Sequence, residues 1–366
     1  MPWALLGAIF IVLLAEGVLR YSRWPKILPY EMGRMEYVVA AEQIARAGAA
    51  EVSIVGSSRT RESLIVPLMA SRLSDAAGRK VTVASYACSG AYTSDFEAVI
   101  KRLLRDGNPP KVILVGLGER DLIDGGRLWD QVALFQNLRE VREDFDERGV
   151  DALNDLPVVA RQHAGHYWRT LGLREFLRFR IVERVLGNNR PRVKSPAEGG
   201  LTIWQTSSPS RNLVKKPVKK SRVLERAEST RDDEMPSPAL ANSLNDLAYE
   251  CQRRGVQLIF YEVHRSNALR KAFPRPLYAR FLRIIDDVAD RNGARFVKLG
   301  DLGLKLTDSD MREPSHMSYR GAQRLTETLS LRVLKPIFAP QTHEKAKAKK
   351  KRKATTVPSL GTPGEG

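Results

Sequence analysis

Residues 51–60, EVSIVGSSRT, decide the fold of this chain. The apolar run that ends in Gly56 is typical of a buried strand followed by a tight turn. A helical pattern follows in SLIVPLMASRLSDAAG, where Pro67 marks a start and Gly78 an end. Two further strand-like runs come next, KVTVASYA and PPKVILVGLG, with the amphipathic segment SDFEAVIKRLLRDG between them. This order of strand, helix, strand, helix and strand predicts parallel pairing.

The second half of the chain extends the same pattern. The runs VQLIFYEV and ARFVKL each follow a helical segment, and YRGAQRLTETLSLRVLKPIF predicts a closing helix. We predict an α/β fold over residues 36–338, a three-layer sandwich of the flavodoxin-like type with a mainly parallel five-stranded sheet. Residues 124–238 are an insertion in that domain. Residues 188–238, rich in Pro, Ser, Lys and Gly, are predicted to be a disordered loop, and residues 341–366 a disordered basic tail.

The net charge of +18 is unevenly distributed. Residues 190–226 contain ten Lys and Arg against two Glu, and residues 341–366 contain seven against two. Most of the excess charge therefore belongs to a loop and a tail, so we expect no specific nucleic-acid binding. The two cysteines, Cys88 and Cys251, exclude a disulfide scaffold and a four-cysteine zinc site.

The amino terminus resembles a membrane anchor. Residues 3–15, WALLGAIFIVLLA, are apolar or small throughout, and Arg20, Arg23 and Lys26 follow them. We predict a single transmembrane helix over residues 1–20. A signal peptide and a buried helix are the alternatives, but no basic residue precedes the run and no small-x-small cleavage site follows it. The positive-inside rule would place the body in the cytoplasm.

Three turns carry residues suited to nucleophilic chemistry. Gly56-Ser57-Ser58 follows the first strand, Ser89-Gly90 follows the second, and Glu313-Pro314-Ser315-His316 precedes the last helix. Ligands bind at the carboxyl edge of a parallel sheet, where such turns meet. A carboxylate near a histidine can orient the imidazole as general base for a serine. Taken singly, each turn has a plainer interpretation, because serines cap helices, glycines make turns and histidines lie on surfaces.

The three turns together resemble the sequence blocks of the SGNH (GDSL-like) hydrolase superfamily. Gly56-Ser57-Ser58 resembles its Gly-Asp-Ser block, Gly90 its second block, and the segment from Glu313 to His316 its Asp-x-x-His block. Together with the N-terminal apolar run, the chain looks most like the membrane-linked bacterial members that modify the cell envelope, such as the alginate O-acetylation and DltD-like proteins. The resemblance covers residues 40–122 and 240–338.

This resemblance implies a serine esterase or O-acetyltransferase without a cofactor or metal. Ser58 would be the nucleophile, His316 the base and Glu313 its orienting acid, while the N–H groups of Ser58 and Gly90 would bind the oxyanion. The implied partners are an acylated small molecule or cell-envelope polysaccharide, the membrane, and a membrane-bound acyltransferase. The family places its catalytic domain outside the cytoplasm, which is opposite to the orientation that the flanking basic residues indicate.

The third block departs from the family. It should read Gly-x-Asn-Asp, whereas residues 116–121 read GLGERD, so the asparagine oxyanion donor is missing. Arg59 and Arg120 are candidates to replace it, and Ser57 and His264 are further candidates to line the site. The missing amide leaves open an alternative, a catalytically degraded envelope protein that binds glycan or a membrane partner.

Two other positions carry alternatives. Glu313 stands where the family has Asp, and Asp308 and Asp310 are alternative orienting acids for the histidine. His163 and His166 are spaced for one helix face, but a pair without a third ligand is interpreted as a solvated surface.

Overall fold

The computed structural model describes residues 2–21, 27–29, 33–105, 108–122, 135–148, 156–157, 160, 164, 192–194, 237–272 and 275–339. Three regions singled out in the sequence lie outside these residues, wholly or for the most part. They are the histidine pair at positions 163 and 166, the predicted loop 188–238 and the basic tail 341–366.

Strands and helices alternate through the described part of the body, as the apolar runs predict. The helices are α1 (Pro2–Tyr21), α2 (Gly33–Ala47), α3 (Ser58–Ser63), α4 (Val66–Ala77), α5 (Thr93–Arg105), α6 (Leu138–Arg148), α7 (Pro238–Arg253), α8 (Asn267–Ala272), α9 (Arg275–Arg291), α10 (Tyr319–Thr328) and α11 (Lys335–Phe338), with a π-helical turn (Leu329–Leu334) between the last two. The strands are β1 (Ile27–Pro29), β2 (Val52–Gly56), β3 (Val83–Ser85), β4 (Val112–Leu117), β5 (Arg192–Lys194), β6 (Gln257–Glu262), β7 (Arg295–Val297), β8 (Met311–Glu313) and β9 (His316–Met317).

Five of the strands form the central sheet, in the order β3-β2-β4-β6-β7. All four neighbouring pairs are parallel, and β2 and β4 are in register from Val52 opposite Val112 to Gly56 opposite Gly116. The predicted α/β fold with a mainly parallel five-stranded sheet is therefore confirmed. Two short antiparallel pairs lie outside this sheet, β1 with β5 and β8 with β9.

Apolar side chains leave the central strands alternately toward the two faces of the sheet. In β4, Ile113 and Val115 belong to the core packed under α2, α5, α7 and α9, whereas Val112 and Leu114 belong to the core under α4 and α10. All four side chains are fully buried. Continuous apolar strands of this kind need helices on both faces, which is why the sequence shows runs rather than alternation.

The strand order reverses between β2 and β4, because the chain leaves β2 toward β3 on one side and later returns to β4 on the other. A crevice at the carboxyl ends of the strands forms at such a switch point. Ser58 follows β2 directly, so the fold places it at this crevice.

Helix α1 coincides with the stretch that the sequence predicts to cross a membrane. Its apolar side chains are exposed, among them Trp3, Phe10 and Ile11. Within the described residues, however, no helix combines the length and the apolar character that a membrane span requires.

Candidate active site

Helix α3 sits unusually close to the sheet, and this closeness places Ser58. The Thr60 side chain lies over Gly56 and Gly116, the paired residues at the ends of β2 and β4, and its hydroxyl donates to the Gly116 carbonyl at 3.2 Å. A Cβ on Gly56 would lie 2.2 Å from Thr60 Oγ1, and one on Gly116 would lie 2.3 Å from it. Only glycine at both positions lets the helix approach this far.

The segment with the histidine is a short hairpin rather than the loop that the sequence predicts. Glu313 in β8 is paired with His316 in β9, and the turn between them is held by a hydrogen bond from the Ser266 N–H to the Pro314 carbonyl at 3.0 Å. Behind the hairpin, Ser318 caps α10 by accepting the Gly321 N–H. Strands of two and three residues are too short for an apolar period to reveal them.

The hairpin brings His316 to Ser58 although 258 positions separate them in the sequence. His316 Nε2 lies 3.0 Å from Ser58 Oγ, and Nδ1 contacts Glu313 Oε1 and also lies 3.1 Å from Ser315 Oγ. The His316 side chain is 17% exposed and that of Glu313 is 47% exposed. Serine hydroxyl, imidazole and carboxylate thus follow one another in hydrogen-bonding order, as in a nucleophilic triad.

Hydrogen-bond chemistry fixes the roles of the two ring nitrogens. A carboxylate only accepts, so the Glu313 contact requires the proton on Nδ1, and Nε2 then presents a lone pair to the Ser58 hydroxyl. The bond to His316 lowers the pKa of the Glu313 carboxyl below its ordinary range, although partial burial opposes the shift. Glu313 therefore stays ionised at neutral pH, and the ionised form supports an imidazolium at His316.

The alternative orienting acids lie elsewhere. Asp308 accepts the Asn267 N–H at 2.7 Å. Asp310 is buried and accepts from Arg324 at 2.7 Å and from the Thr307 N–H at 3.0 Å. Both aspartates fasten the loop before the hairpin, and Glu313 is the acid that contacts the histidine.

Two backbone N–H groups stand at this edge of the sheet. Ser58 is the first residue of α3, so its N–H has no acceptor within the helix. Gly90 lies in the turn after β3 with φ +74°, a conformation that favours glycine, and the space where a Cβ would stand is open. In the described part of the chain, no backbone acceptor is found for the Gly90 N–H. Both groups are suited to bind an oxyanion.

Of the two arginines considered as replacements for the missing asparagine, Arg59 is engaged. Its Nη2 donates to Asp121 Oδ1 at 2.8 Å, both side chains are buried, and Asp121 also accepts the Gly118 N–H at 2.8 Å. Arg59 therefore fastens α3 to the turn after β4. Arg120 belongs to that turn and is partly exposed, so of the two arginines it is the more accessible to solvent.

The two other candidate lining residues are placed differently. Ser57 is buried at the N-cap position of α3, but its hydroxyl makes no capping bond, and no partner for it is found among the described residues. His264 lies after β6 and faces the charges of Arg270, Asp308 and Asp310. Burial lowers the pKa of His264 to about 4, so its ring is neutral at pH 7.

Sequence reasoning missed an acidic residue that touches the turn after β3 and the helix α3. Glu36 in α2 is only 7% exposed. Its carboxylate accepts the Ser89 N–H at 2.5 Å, the Ser89 hydroxyl at 3.2 Å and a bond from Arg61. Residues 36–49 carry apolar side chains at helical spacing, and in that pattern Glu36 is an ordinary polar residue of an amphipathic helix. The sequence therefore gives no signal for this role.

Sequence reasoning also missed a second buried ion pair, between the segments that follow β4 and β6. Arg265, in the loop after β6, pairs with Glu119 in the turn after β4, and its guanidinium lies 4.6 Å from the centre of the Tyr278 ring. Burial lowers the pKa of Arg265 to about 9. The pair joins the ends of two neighbouring strands.

A comparison with known protein families and a search of curated proteins found no match for this chain.

Proposed function

We propose that this chain is a serine esterase or O-acyltransferase that works through an acyl-serine intermediate on Ser58. One observation carries the proposal, namely the hydrogen-bonding order of Ser58 Oγ, His316 and Glu313, with 3.0 Å between Oγ and Nε2. Serine becomes nucleophilic when a neighbouring base can take its proton, and the base works best when a third group orients it.

In the first half-reaction, Ser58 Oγ attacks the carbonyl carbon of the acyl ester while its proton passes to His316 Nε2. The resulting imidazolium donates its Nδ1–H to the Glu313 carboxylate, whose negative charge stabilises it. The negative charge on the carbonyl oxygen is met by the N–H groups of Ser58 and Gly90. His316 then gives its proton to the departing alkoxide, and the acyl group stays on Ser58.

In the second half-reaction, an acceptor hydroxyl attacks the acyl-serine. His316 Nε2 takes the proton of that hydroxyl, and the tetrahedral intermediate collapses to release Ser58 with its proton returned. Water as acceptor makes the protein an esterase, and a sugar hydroxyl makes it an acyltransferase. The chemistry of the described residues is the same in both cases.

The substrate class follows from the resemblance to SGNH hydrolases of the bacterial envelope. It is an acylated small molecule or polysaccharide, for which a membrane-bound acyltransferase would supply or share the acyl group. A location at the cell membrane belongs to the same resemblance. The proposed reaction itself concerns the body over residues 36–338 and makes no use of residues 1–20.

A fluorophosphonate probe tests the proposal because only an activated serine reacts with it. We expect the full chain to be labelled once, on Ser58, and to hydrolyse a chromogenic acetyl ester. Ser58→Ala should lose both properties with an unchanged melting temperature. Ser57→Ala, the matched control in the same turn, should keep the label. Labelling that survives in Ser58→Ala would refute the assignment.

The missing asparagine favours a second candidate, a non-catalytic protein that binds glycan or a membrane partner. A poorly stabilised oxyanion slows turnover severely even where the triad is intact, since one such donor is worth about 10²–10³ in kcat. This candidate predicts a folded chain that is neither labelled by the probe nor active on acetyl esters. Retention of the chain on immobilised cell-wall polysaccharide would then be the observation in its favour.

A further inference from the structure

Four charged side chains form a continuous series that runs from strand β8 through helix α3 to helix α2. Arg312 Nη2 donates to Glu62 Oε2 at 2.6 Å, Glu62 Oε1 lies 3.7 Å from Arg61 Nη2, and Arg61 Nη1 contacts Glu36. The series begins beside Glu313 in the hairpin, crosses helix α3 and ends in α2. Charges alternate along it, so each member has a partner of opposite sign.

Three members of this series are deeply buried. Glu36 and Arg61 are each 7% exposed, and Glu62 is 3% exposed. Burial lowers the pKa of Arg61, but the charges of Glu36 and Glu62 raise it by more, and the net effect is a raised pKa. Arg61 is therefore charged at neutral pH. Buried ion pairs add little to stability compared with apolar side chains of similar size, because desolvation opposes their attraction.

Glu36 is the member that reaches the turn after β3. In that turn the Cys88 N–H bonds to Gly56 in β2 at 2.9 Å, and the Ser89 N–H bonds to the Glu36 carboxylate. The next peptide N–H is that of Gly90, one of the two oxyanion donors. Because Glu36 holds the preceding N–H and the Ser89 hydroxyl, it sets the orientation of the peptide that carries the Gly90 N–H.

The same carboxylate also holds the other donor through Arg61. Arg61 lies one helical turn after Ser58 in α3, and its N–H bonds to the Ser57 carbonyl at 3.1 Å. A shift of Arg61 therefore moves the first turn of α3, which carries the Ser58 N–H. Glu36 thus touches both segments whose spacing defines the oxyanion site, from a helix that supplies no group to the reaction.

We infer that Glu36 is a positioning residue, which fixes the distance between the Ser58 and Gly90 N–H groups by binding Arg61 and Ser89 at once. This inference rests on the proposed function. Oxyanion donors act in the transition state rather than on bound substrate. A loosened pair of donors therefore lowers kcat and leaves KM nearly unchanged.

The test compares Glu36→Gln with a matched control at the opposite edge of the sheet. Glu51 has the same chemistry there, because its carboxylate accepts the Thr82 N–H at 3.2 Å and two bonds from Arg79 at 2.6 and 3.0 Å. We expect Glu36→Gln to lower kcat on a chromogenic acetyl ester about ten- to hundredfold, with KM within about twofold of wild type. Glu51→Gln should leave both constants unchanged.

Active sites are counted by the end point of fluorophosphonate labelling, so that kcat refers to folded, reactive protein. If Glu36→Gln folds poorly, the double variant with Glu36→Gln and Arg61→Met removes both charges and leaves Glu62 paired with Arg312. It should show the same fall in kcat. A purely structural role predicts a lower melting temperature and a smaller labelled fraction with wild-type kcat per site, and that result overturns the inference.

The proposed function and this inference fail in different ways. A wild-type chain that is neither labelled nor active removes the proposed function, and the positioning role falls with it. A reactive wild type whose kcat per site is equal in Glu36→Gln removes the positioning role alone. Ser89→Ala loses the hydroxyl contact but keeps the peptide N–H. It should lower kcat by about twofold to fivefold, which is a smaller fall than that expected for Glu36→Gln.

Discussion

The two edges of the central sheet hold their charges in opposite ways. At the amino edge, Glu51 and Arg79 form an ion pair whose side chains are 30% and 54% exposed. At the carboxyl edge, Arg59 and Asp121 form one whose side chains are 9% and 3% exposed. Exposed pairs contribute little and tolerate loss, whereas a buried pair that loses one partner leaves an uncompensated charge.

This difference separates what the fold requires from what the site requires. At the amino edge, the charged side chains need only to remain solvated. The carboxyl edge carries buried pairs that stabilise the chain less than apolar packing would, but that hold peptide groups and helix ends in fixed positions. The pairs of Glu36 with Arg61 and of Glu119 with Arg265 follow the same arrangement.

The largest effect is expected from His316→Ala, which puts the assignment of the carboxyl edge most directly at risk. Without the base, Ser58 keeps its proton and kcat on an acetyl ester should fall about 10⁴-fold or more. The melting temperature should hardly change, because the side chain bonds only to groups of the site. A variant that keeps a tenth of the wild-type rate would show that His316 is not the base, and the carboxyl edge would then have no assigned catalytic role.

Asp121→Ala and Glu51→Ala compare the edges as elements of stability. Loss of Asp121 strands the buried Arg59 guanidinium and should lower the free energy of unfolding by about 3–5 kcal/mol. Loss of Glu51 should cost a small fraction of that, because water replaces it. Denaturant titrations of both variants measure the difference directly. Equal losses in the free energy of unfolding would show that the burial of the Arg59–Asp121 pair does not make it more important for stability than the exposed pair.

Arg120 sharpens the comparison inside the carboxyl edge, because it is partly exposed beside the buried Arg59. If Arg120 replaces the missing amide donor, Arg120→Ala should lower kcat about ten- to hundredfold. Arg120→Asn, which introduces the amide that SGNH hydrolases carry in their third block, should recover part of the rate. An unchanged kcat in both variants would leave the backbone N–H groups as the whole oxyanion site.

The last expected effect is a pH dependence of stability that comes from His264. Its folded pKa of about 4 lies below the ordinary value of about 6.5, so the unfolded chain binds more protons between these limits. Stability should therefore fall as the pH is lowered from about 6.5 toward 4, by about 3 kcal/mol. His264→Asn should flatten that part of the curve in denaturant titrations at several pH values. A curve of the same slope would contradict the buried, neutral ring.

Much of this fold could be predicted from local pattern, because β2, β3 and β4 are buried throughout, β6 nearly so, and Gly56, Gly78 and Gly293 mark turns and helix ends. Parallel strands bring their carboxyl ends to one edge, which explains the position of Ser58. His316 lies in the antiparallel β8–β9 hairpin, and its pairing with Ser58 was expected from the resemblance to SGNH hydrolases. Long-range ion pairs left no such trace. Glu36 and Ser89 are 53 residues apart, and neither charge nor spacing distinguishes Glu36 from the other polar residues of α2.

For Arg59, the local sequence suggested a role that the structure does not support. Its position beside Ser58 suggested a group that reaches the substrate, whereas its partner is Asp121, 62 residues away. Whether Arg59 or Arg120 becomes buried depends on how α3 packs against the turn after β4. Helix packing of this kind is decided by the tertiary structure and not by the local sequence.

The glycines under Thr60 have a consequence for how this site can vary. The height of the Ser58 hydroxyl above the sheet depends on the absence of a Cβ at Gly56 and Gly116, which are 60 residues apart in the chain. Even an alanine at position 116 would lift the helix and separate the alcohol from its imidazole. A scan of random variants should then find Gly116 nearly as intolerant of substitution as Ser58.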